Sequence, residues 1–369
     1  SADDGPGGAP DPAEAALGGA YVVVTREAGE ALPPKLLADP AYAELLPALP
    51  RQLGRVLARI HQVPAAEVPQ LDDRDALDAL TEQYESTGDP VPALEIAFSW
   101  LRAHRPEATG DGLVHGDFRN GNLLITPEGV QAVLDWELAH RGDPMEDLGW
   151  LCSRAWRFGR EAPVGGFGSR EELFAGYAEV SGVEPEPQTV HWWEVYGTLR
   201  WAMICRYQAQ RGRTDDVDNA LELFAVGRRV AECEYDLLNL LGFELHSDRI
   251  PDGPETLPAV FGSPDVGELL TPVRGLLRTA TEHAATQEPR LRYVGRVASH
   301  VLRIVERQAV LGPRATIAGR DALQAAGHPD EVSLALALRD GSADVDDAAV
   351  RAAVALLVGY RIAVANPGY

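Results

Sequence analysis

The chain has few cysteines, no long apolar run and a shortage of positive charge. Its three cysteines, Cys152, Cys205 and Cys233, are far apart and odd in number. That excludes a disulfide framework and a cysteine zinc site, and it points to a reducing cytoplasm with the three thiols as small core side chains. No run approaches the length of a membrane-spanning helix, so a membrane span is not expected. Residues Ser1 to Pro12 are polar and acidic, without the basic start and apolar stretch of a secretion signal. With 33 basic against 56 acidic residues the formal charge is −23, which disfavours nucleic acid as a partner.

The length of 369 residues fits two domains. Charge divides them unevenly. Residues 250–369 hold 14 acids and 12 bases, a net of −2, which leaves −21 for the rest. An acidic lobe of this kind attracts polycations, although a solvated acidic surface needs no such partner.

Residues 1–18 read as a disordered linker or a lobe remnant. The β-branched run Tyr21–Thr25 predicts a strand. Leu53, Val56, Leu57 and Ile60 recur at helical spacing within a helix expected over 41–61. Further helices are expected near 73–86 and 92–104. The pattern then changes to two short strands, 122–126 and 131–136, reversed by Pro127-Glu128-Gly129. Helices follow near 145–157, 170–181, 188–211 and 216–240. Pro251, Pro254, Pro258 and Pro264, with Gly253 and Gly262, mark an interdomain linker. Beyond it the chain reads as helical, with apolar positions such as Leu269, Val273, Leu276 and Leu277. The predicted units are 1–18, 19–248, a linker at 249–264, and a helical domain at 265–369. The expected fold is mainly α with a small β-hairpin.

The most informative segment runs from Val114 to Leu148 and reads VHGDFRNGNLLITPEGVQAVLDWELAHRGDPMEDL. An Asp on a tight loop, an Asn five residues later and a second Asp after a hairpin suit phosphoryl transfer. That reaction needs an oriented acceptor hydroxyl and oxygen ligands for Mg²⁺. His115-Gly116-Asp117 followed by Asn122 has the Asp-to-Asn spacing of a kinase catalytic loop. The hairpin is expected to bring Asp135 opposite Asn122.

These elements resemble the aminoglycoside phosphotransferase and choline-kinase-like family. The likeness includes Asp135-Trp136, Gly142-Asp143-Pro144 and Asp147-Leu148. It implies a protein-kinase-like C-lobe that uses ATP and Mg²⁺ to phosphorylate a hydroxyl of a small molecule. It assigns Asp117 as catalytic base and Asn122 and Asp135 as metal ligands. Asp143 and Asp147 are then expected to brace loops, and His115 to support its own. Tyr21–Glu30 resembles the hinge strand and the Gly-Glu element after it, which places Val23, Val24, Thr25 and Arg26 against adenine. Trp150–Phe174 resembles a bacterial branch of phosphotransferase family proteins. Relatives of that branch are associated with acyl-CoA dehydrogenases, and some phosphorylate hydroxyacyl groups. Residues 260–369 resemble an uncharacterised helical domain found with the same branch.

A complete kinase of this type has an N-lobe with a lysine for the α- and β-phosphates. Here the single lysine, Lys35, follows Pro33-Pro34, and Gly7-Gly8 makes a poor phosphate loop. The chain therefore reads as a fragment or one part of a split protein, with a separate N-lobe or a homodimer as its expected protein partner. The preferred acceptor is a metabolite such as a hydroxyacyl-CoA. Arg157, Arg200 and Arg206 would suit an anionic acceptor if they line its pocket, and surface ion pairs are the plainer alternative. An aminoglycoside acceptor suits the acidic lobe instead. A pseudokinase-like binding module is the alternative of another class, and a purely structural helical protein leaves the loop unexplained. Arg292, Arg296, Arg303 and Arg307 share a helical face, for which solvation or acidic partners suffice.

Overall fold

A computed structural model describes residues 25–214, 219–245, 266–284 and 289–369. Its helices in chain order are α1 (Pro33–Ala38), α2 (Leu49–His61), α3 (Ala76–Ser86), α4 (Pro92–Ala103), α5 (Met145–Cys152), α6 (Arg170–Ser181), α7 (Pro187–Thr214), α8 (Ala220–Gly227) and α9 (Val230–Leu240). Four more follow: α10 (Val266–Ala284), α11 (Pro289–Ala325), α12 (Glu331–Asp340) and α13 (Ala348–Ala365). Between α4 and α5 lie β1 (Gly112–Val114), β2 (Leu123–Thr126), β3 (Gly129–Val133) and β4 (His140–Gly142). The fold is mainly α with small antiparallel sheets, as expected.

Local chemistry explains most boundaries. Asp75 caps α3 by accepting from the N–H groups of Leu77 and Asp78. Ser169 caps α6, which stops at Gly182 in the left-handed conformation. The helix expected over 41–61 starts only at Leu49, with a 3₁₀ turn at Pro40–Tyr42 before it. Pro47 disfavours helix at the residue before it, whereas Pro50 fits the first turn of α2. The helix expected over 145–157 ends at Cys152 and gives way to a 3₁₀ turn at Arg154–Trp156. The one expected over 216–240 is two helices that meet at Arg228 and Arg229.

Helices α2 and α6 touch backbone to backbone. A Cβ at Gly54 would lie 2.1 Å from the Leu173 carbonyl, and one at Gly176 would lie 2.0 Å from that of Arg51. Only glycine fits at either crossing. Around them Leu53 and Leu57 join Leu94, Phe98, Leu101, Leu148, Leu151 and Leu199 in the main core. All three cysteines are buried.

Two ladders hold the strands. β2 pairs with β3, with an irregularity between Leu124 and Ile125. This is the expected hairpin. The second ladder, β1 with β4, joins residues 112–114 to 140–142 and was not anticipated. It closes the two ends of the motif segment onto each other.

The C-terminal helices pack on the preceding ones. Leu334 and Leu338 of α12 and Val350, Val354 and Val358 of α13 share a core with Ala93, Ile96, Leu238 and Phe243. The Arg339 guanidinium meets Glu95 there, whose carboxylate is buried and also accepts from Tyr84 Oη at 2.8 Å. Among the described residues α13 alone is long and apolar enough to cross a membrane, and its apolar side chains pack on α9 and α11. Within α10, Val273 and Leu276 are exposed, contrary to the apolar face read from the sequence. The expected linker at 249–264 lies outside the described residues.

Candidate functional site

The loop between β1 and β2 is fastened from beneath by α5. Asp147, fully buried, accepts from the His115 N–H at 2.8 Å and the Gly116 N–H at 2.9 Å. His61 Nε2 lies 3.0 Å from the same carboxylate, and His61 Nδ1 lies 3.1 Å from Tyr177 Oη. Burial alone would raise the Asp147 carboxyl. The hydrogen bond and charge of His61, with the His115 N–H, outweigh it and hold the group below the ordinary carboxylate range. Asp143 braces the neighbouring turn by accepting from Thr109 and from the Met145 N–H.

Gly116 has a φ of +78°, and a Cβ there would sit 2.4 Å from the Leu138 carbonyl. The loop therefore needs glycine on two grounds. His115 spends both ring nitrogens locally. Nδ1 accepts from the Asp117 N–H at 3.1 Å, so Nε2 carries the proton donated to the Leu134 carbonyl at 3.0 Å. It supports the loop and has no nitrogen left for a reacting proton.

Asp117 is thereby presented with its carboxylate held by three donors. Oδ1 accepts from Trp150 Nε1 at 2.9 Å and from Arg119 Nε at 3.0 Å. Oδ2 accepts from Asn122 Nδ2 at 2.6 Å, which fixes the Asn122 amide and turns its oxygen away from Asp117. The ladder continues one pair further, with the Leu134 N–H donating to the Asn122 carbonyl at 2.8 Å. Asp135 is the next residue. It is exposed, its side chain makes no hydrogen bond or ion pair among the described residues, and its backbone is left-handed, at a φ of 67°. Asp tolerates that conformation better than most residues, and such outliers gather at functional sites.

Of the other expected site residues, Val23 and Val24 lie outside the described residues. Thr25 and Arg26 are exposed and belong to no strand. Arg157 pairs with the buried Glu194, and Arg206 donates to the Asp89 carbonyl. Arg200 differs. It donates to the Gly116 carbonyl at 2.6 Å, approaches Glu146 at 3.4 Å and lies 5.1 Å over the Trp150 ring. His140 meets the other oxygen of Glu146 at 3.1 Å. Burial pulls the His140 pKa down, but the bond and charge of Glu146 prevail and push it up to about 9.

A cavity of about 610 Å³ opens beside this cluster, lined by Leu80, Glu137, Leu138, His140, Tyr196 and Arg200 among others. Leu138 and His140 flank Gly116, so the cavity adjoins the loop, although Asp117 is not part of its wall. Among the described residues no three His, Cys, Asp or Glu side chains converge as a metal cage. Mg²⁺ in phosphate chemistry needs no such cage, since one or two carboxylates suffice beside water and phosphate oxygens.

The sequence reading missed Trp150, Arg119 and His61. Trp150 and His61 stand 33 and 86 positions from their carboxylate partners. Arg119 had a weak local signal, two positions after Asp117.

The helical lobe, the hairpin and the braced loop define a protein-kinase-like lobe. In comparison with known proteins, residues 9–183 match the phosphotransferase enzyme family. Residues 285–369 match a domain of unknown function (DUF6285). Acyl-CoA dehydrogenase family member 10 of Mus musculus is 36% identical over 129 residues, 31% of this chain and 12% of that protein. Homoserine kinase of Beijerinckia indica is 28% identical over 136 residues, 35% of this chain and 42% of that protein. A solved choline/ethanolamine kinase family protein from Mesorhizobium loti has a TM-score of 0.38 and 16% identity, covering 57% of this chain and 66% of that one. The chain thus spans well under half the length of the curated relatives named here.

Proposed function

We propose that the chain carries the catalytic lobe of an ATP-dependent phosphotransferase that phosphorylates a hydroxyl of a small metabolite. One observation carries the reading. The Asp117 carboxylate is fixed by three donors on a loop that Asp147 anchors, one strand pairing away from an unpaired Asp135.

In this reading the acceptor hydroxyl binds beside Asp117, which orients it and takes its proton as the oxygen attacks the γ-phosphorus. The new bond joins acceptor oxygen to phosphorus, the bond to the β–γ bridging oxygen breaks, and ADP leaves. Arg119, Asn122 and Trp150 hold Asp117 in place, so little reorganisation accompanies the transfer. Asn122 Oδ1 and the Asp135 carboxylate are the oxygens that would hold Mg²⁺. As hard donors they fit it, and the ion would neutralise charge on the phosphates. In this proposal residues 19–248 form the phosphotransferase unit and 265–369 a second, helical unit packed on it.

For the acceptor we favour a hydroxyacyl-CoA. The matches to acyl-CoA dehydrogenase family members support that choice. The test is transfer of labelled γ-phosphate from ATP to a panel of hydroxyacyl-CoA compounds and aminoglycosides, by the wild type and Asp117→Asn. Transfer to the former, abolished in the variant, is the expected result. Transfer to kanamycin-like acceptors alone would overturn the choice of acceptor. Transfer that survives Asp117→Asn would overturn the mechanism.

A further inference from the structure

The segment that follows α13 reaches the kinase-like lobe through two side chains. Tyr369 Oη donates to Asp236 Oδ2 at 2.6 Å, and Asn366 Nδ2 donates to Glu232 Oε1 at 3.0 Å. Both acceptors lie on α9 and are buried. Arg307 of α11 holds the end of α13, where the segment begins, by donating to the carbonyls of Val364 and Ala365.

Each contact continues inward. The Arg154 guanidinium lies 4.4 Å over the Tyr369 ring and 3.5 Å from Asp236 Oδ1. Arg154 opens the 3₁₀ turn that Trp156 closes. From Glu232 the path runs to Arg229 Nε at 2.9 Å, whose guanidinium lies 5.4 Å over Trp201, and Trp201 stands 5.1 Å from Trp156. The two routes meet at Trp156. Its other contacts are Trp150 at 5.1 Å and the Arg119 guanidinium at 4.6 Å. These are two of the three groups that hold Asp117.

The junction is built to pass on a displacement. Trp156 is buried, and its indole nitrogen and that of Trp201 lack hydrogen-bond partners in the structure. Ring packing therefore sets their positions, and a close-packed interior transmits a shift in one ring to the next. Trp156 and Arg119 also form a cation–π pair that fixes the arginine side chain from which Asp117 accepts.

We infer that Asn366 and Tyr369 act as positioning residues for Asp117, through the turn Arg154–Trp156. Docking of the C-terminal helices then sets the aim of the reacting carboxylate. The inference rests on the role proposed above for Asp117.

The indole N–H of Trp150 bonds to Asp117, so its NMR resonance reports the geometry of that bond without any turnover. The full chain is labelled with ¹⁵N, and Trp150→Phe assigns the signal. Tyr369→Phe removes one hydroxyl and keeps the ring, so it guards against unfolding. It is compared with Tyr369→Phe/Asn366→Ala. Arg351→Gln is the control. Arg351 belongs to α13 and meets the lobe at the Gly242 carbonyl and the Phe243 ring, away from both routes. The expected result is a shift of the Trp150 signal in Tyr369→Phe, larger in the double variant and absent in Arg351→Gln. An unmoved signal in the double variant overturns the inference, as does an equal shift in Arg351→Gln. Separately, a titration of the wild type with Mg²⁺ and ATP tests the reading of the site itself, so the two failures are distinguishable.

Discussion

Trp150 Nε1 donates to Asp117 Oδ1 at 2.9 Å, and that bond joins the core to the candidate reacting group. Trp150 is 2% exposed, so its position is fixed by packing. In Trp150→Phe a smaller aromatic ring takes the place of the indole and the donor is lost. Turnover of an active phosphotransferase should fall by roughly tenfold to a hundredfold, the scale of a misaimed catalytic group. Nucleotide affinity should stay within experimental error, because the indole touches neither proposed metal ligand. Steady-state kinetics beside equilibrium nucleotide binding checks both.

Asp147 should govern the acid limb of stability. Its folded pKa lies below the ordinary value, so the unfolded chain binds a proton that the folded one refuses. The contribution is fully present above about pH 4 and is lost as pH falls through the lowered native value. Asp147→Asn removes a buried charge from His61 and two backbone donors and should cost about 3–5 kcal/mol at neutral pH. Urea unfolding between pH 3 and 7 should show a flatter acid limb in the variant.

His140 works in the opposite direction. Its folded pKa is raised from 6.5 to about 9, so its pairing with Glu146 stabilises most fully below the unfolded value and is lost as pH rises through the folded one. The pH-dependent part amounts to about 3 kcal/mol between pH 6 and 10. A histidine resonance titrating near pH 9, absent in His140→Gln, is the expected NMR signature. The variant should also lose the alkaline decline in stability.

Arg339 bears on how the C-terminal helices dock. Glu95 is buried, with Arg339 and Tyr84 as its donors. Arg339→Ala strands that carboxylate with a single donor and should lower stability by about 3–5 kcal/mol. Glu95→Gln/Arg339→Ala should recover part of the loss, since no buried charge then remains. Thermal unfolding of both variants gives the comparison.

Spacing along the chain made much of this legible. The interval from Asp117 to Asn122 and the reversal at Pro127-Glu128-Gly129 are local signals. So the loop, the hairpin and the placement of Asp135 beyond Asn122 could be read directly. Periodicity placed α6 within its observed bounds, where Ser169 and Gly182 also mark the ends. The failures are non-local. The β1–β4 ladder joins segments too short to show a strand pattern. Nothing beside Trp150 or His61 signals a carboxylate partner, because each meets it only after α5 and α2 have packed. Pro47 was legible, yet the apolar period through Leu53 concealed that the helix starts at Leu49.

The central claim is that Asn122 and Asp135 hold a metal-bound nucleotide over Asp117. Calorimetric titration of this chain with ATP, with and without Mg²⁺ and beside Asp135→Asn, tests it most directly. Binding that requires Mg²⁺ and disappears in the variant is expected. Binding indifferent to Mg²⁺ or to Asp135 would contradict it.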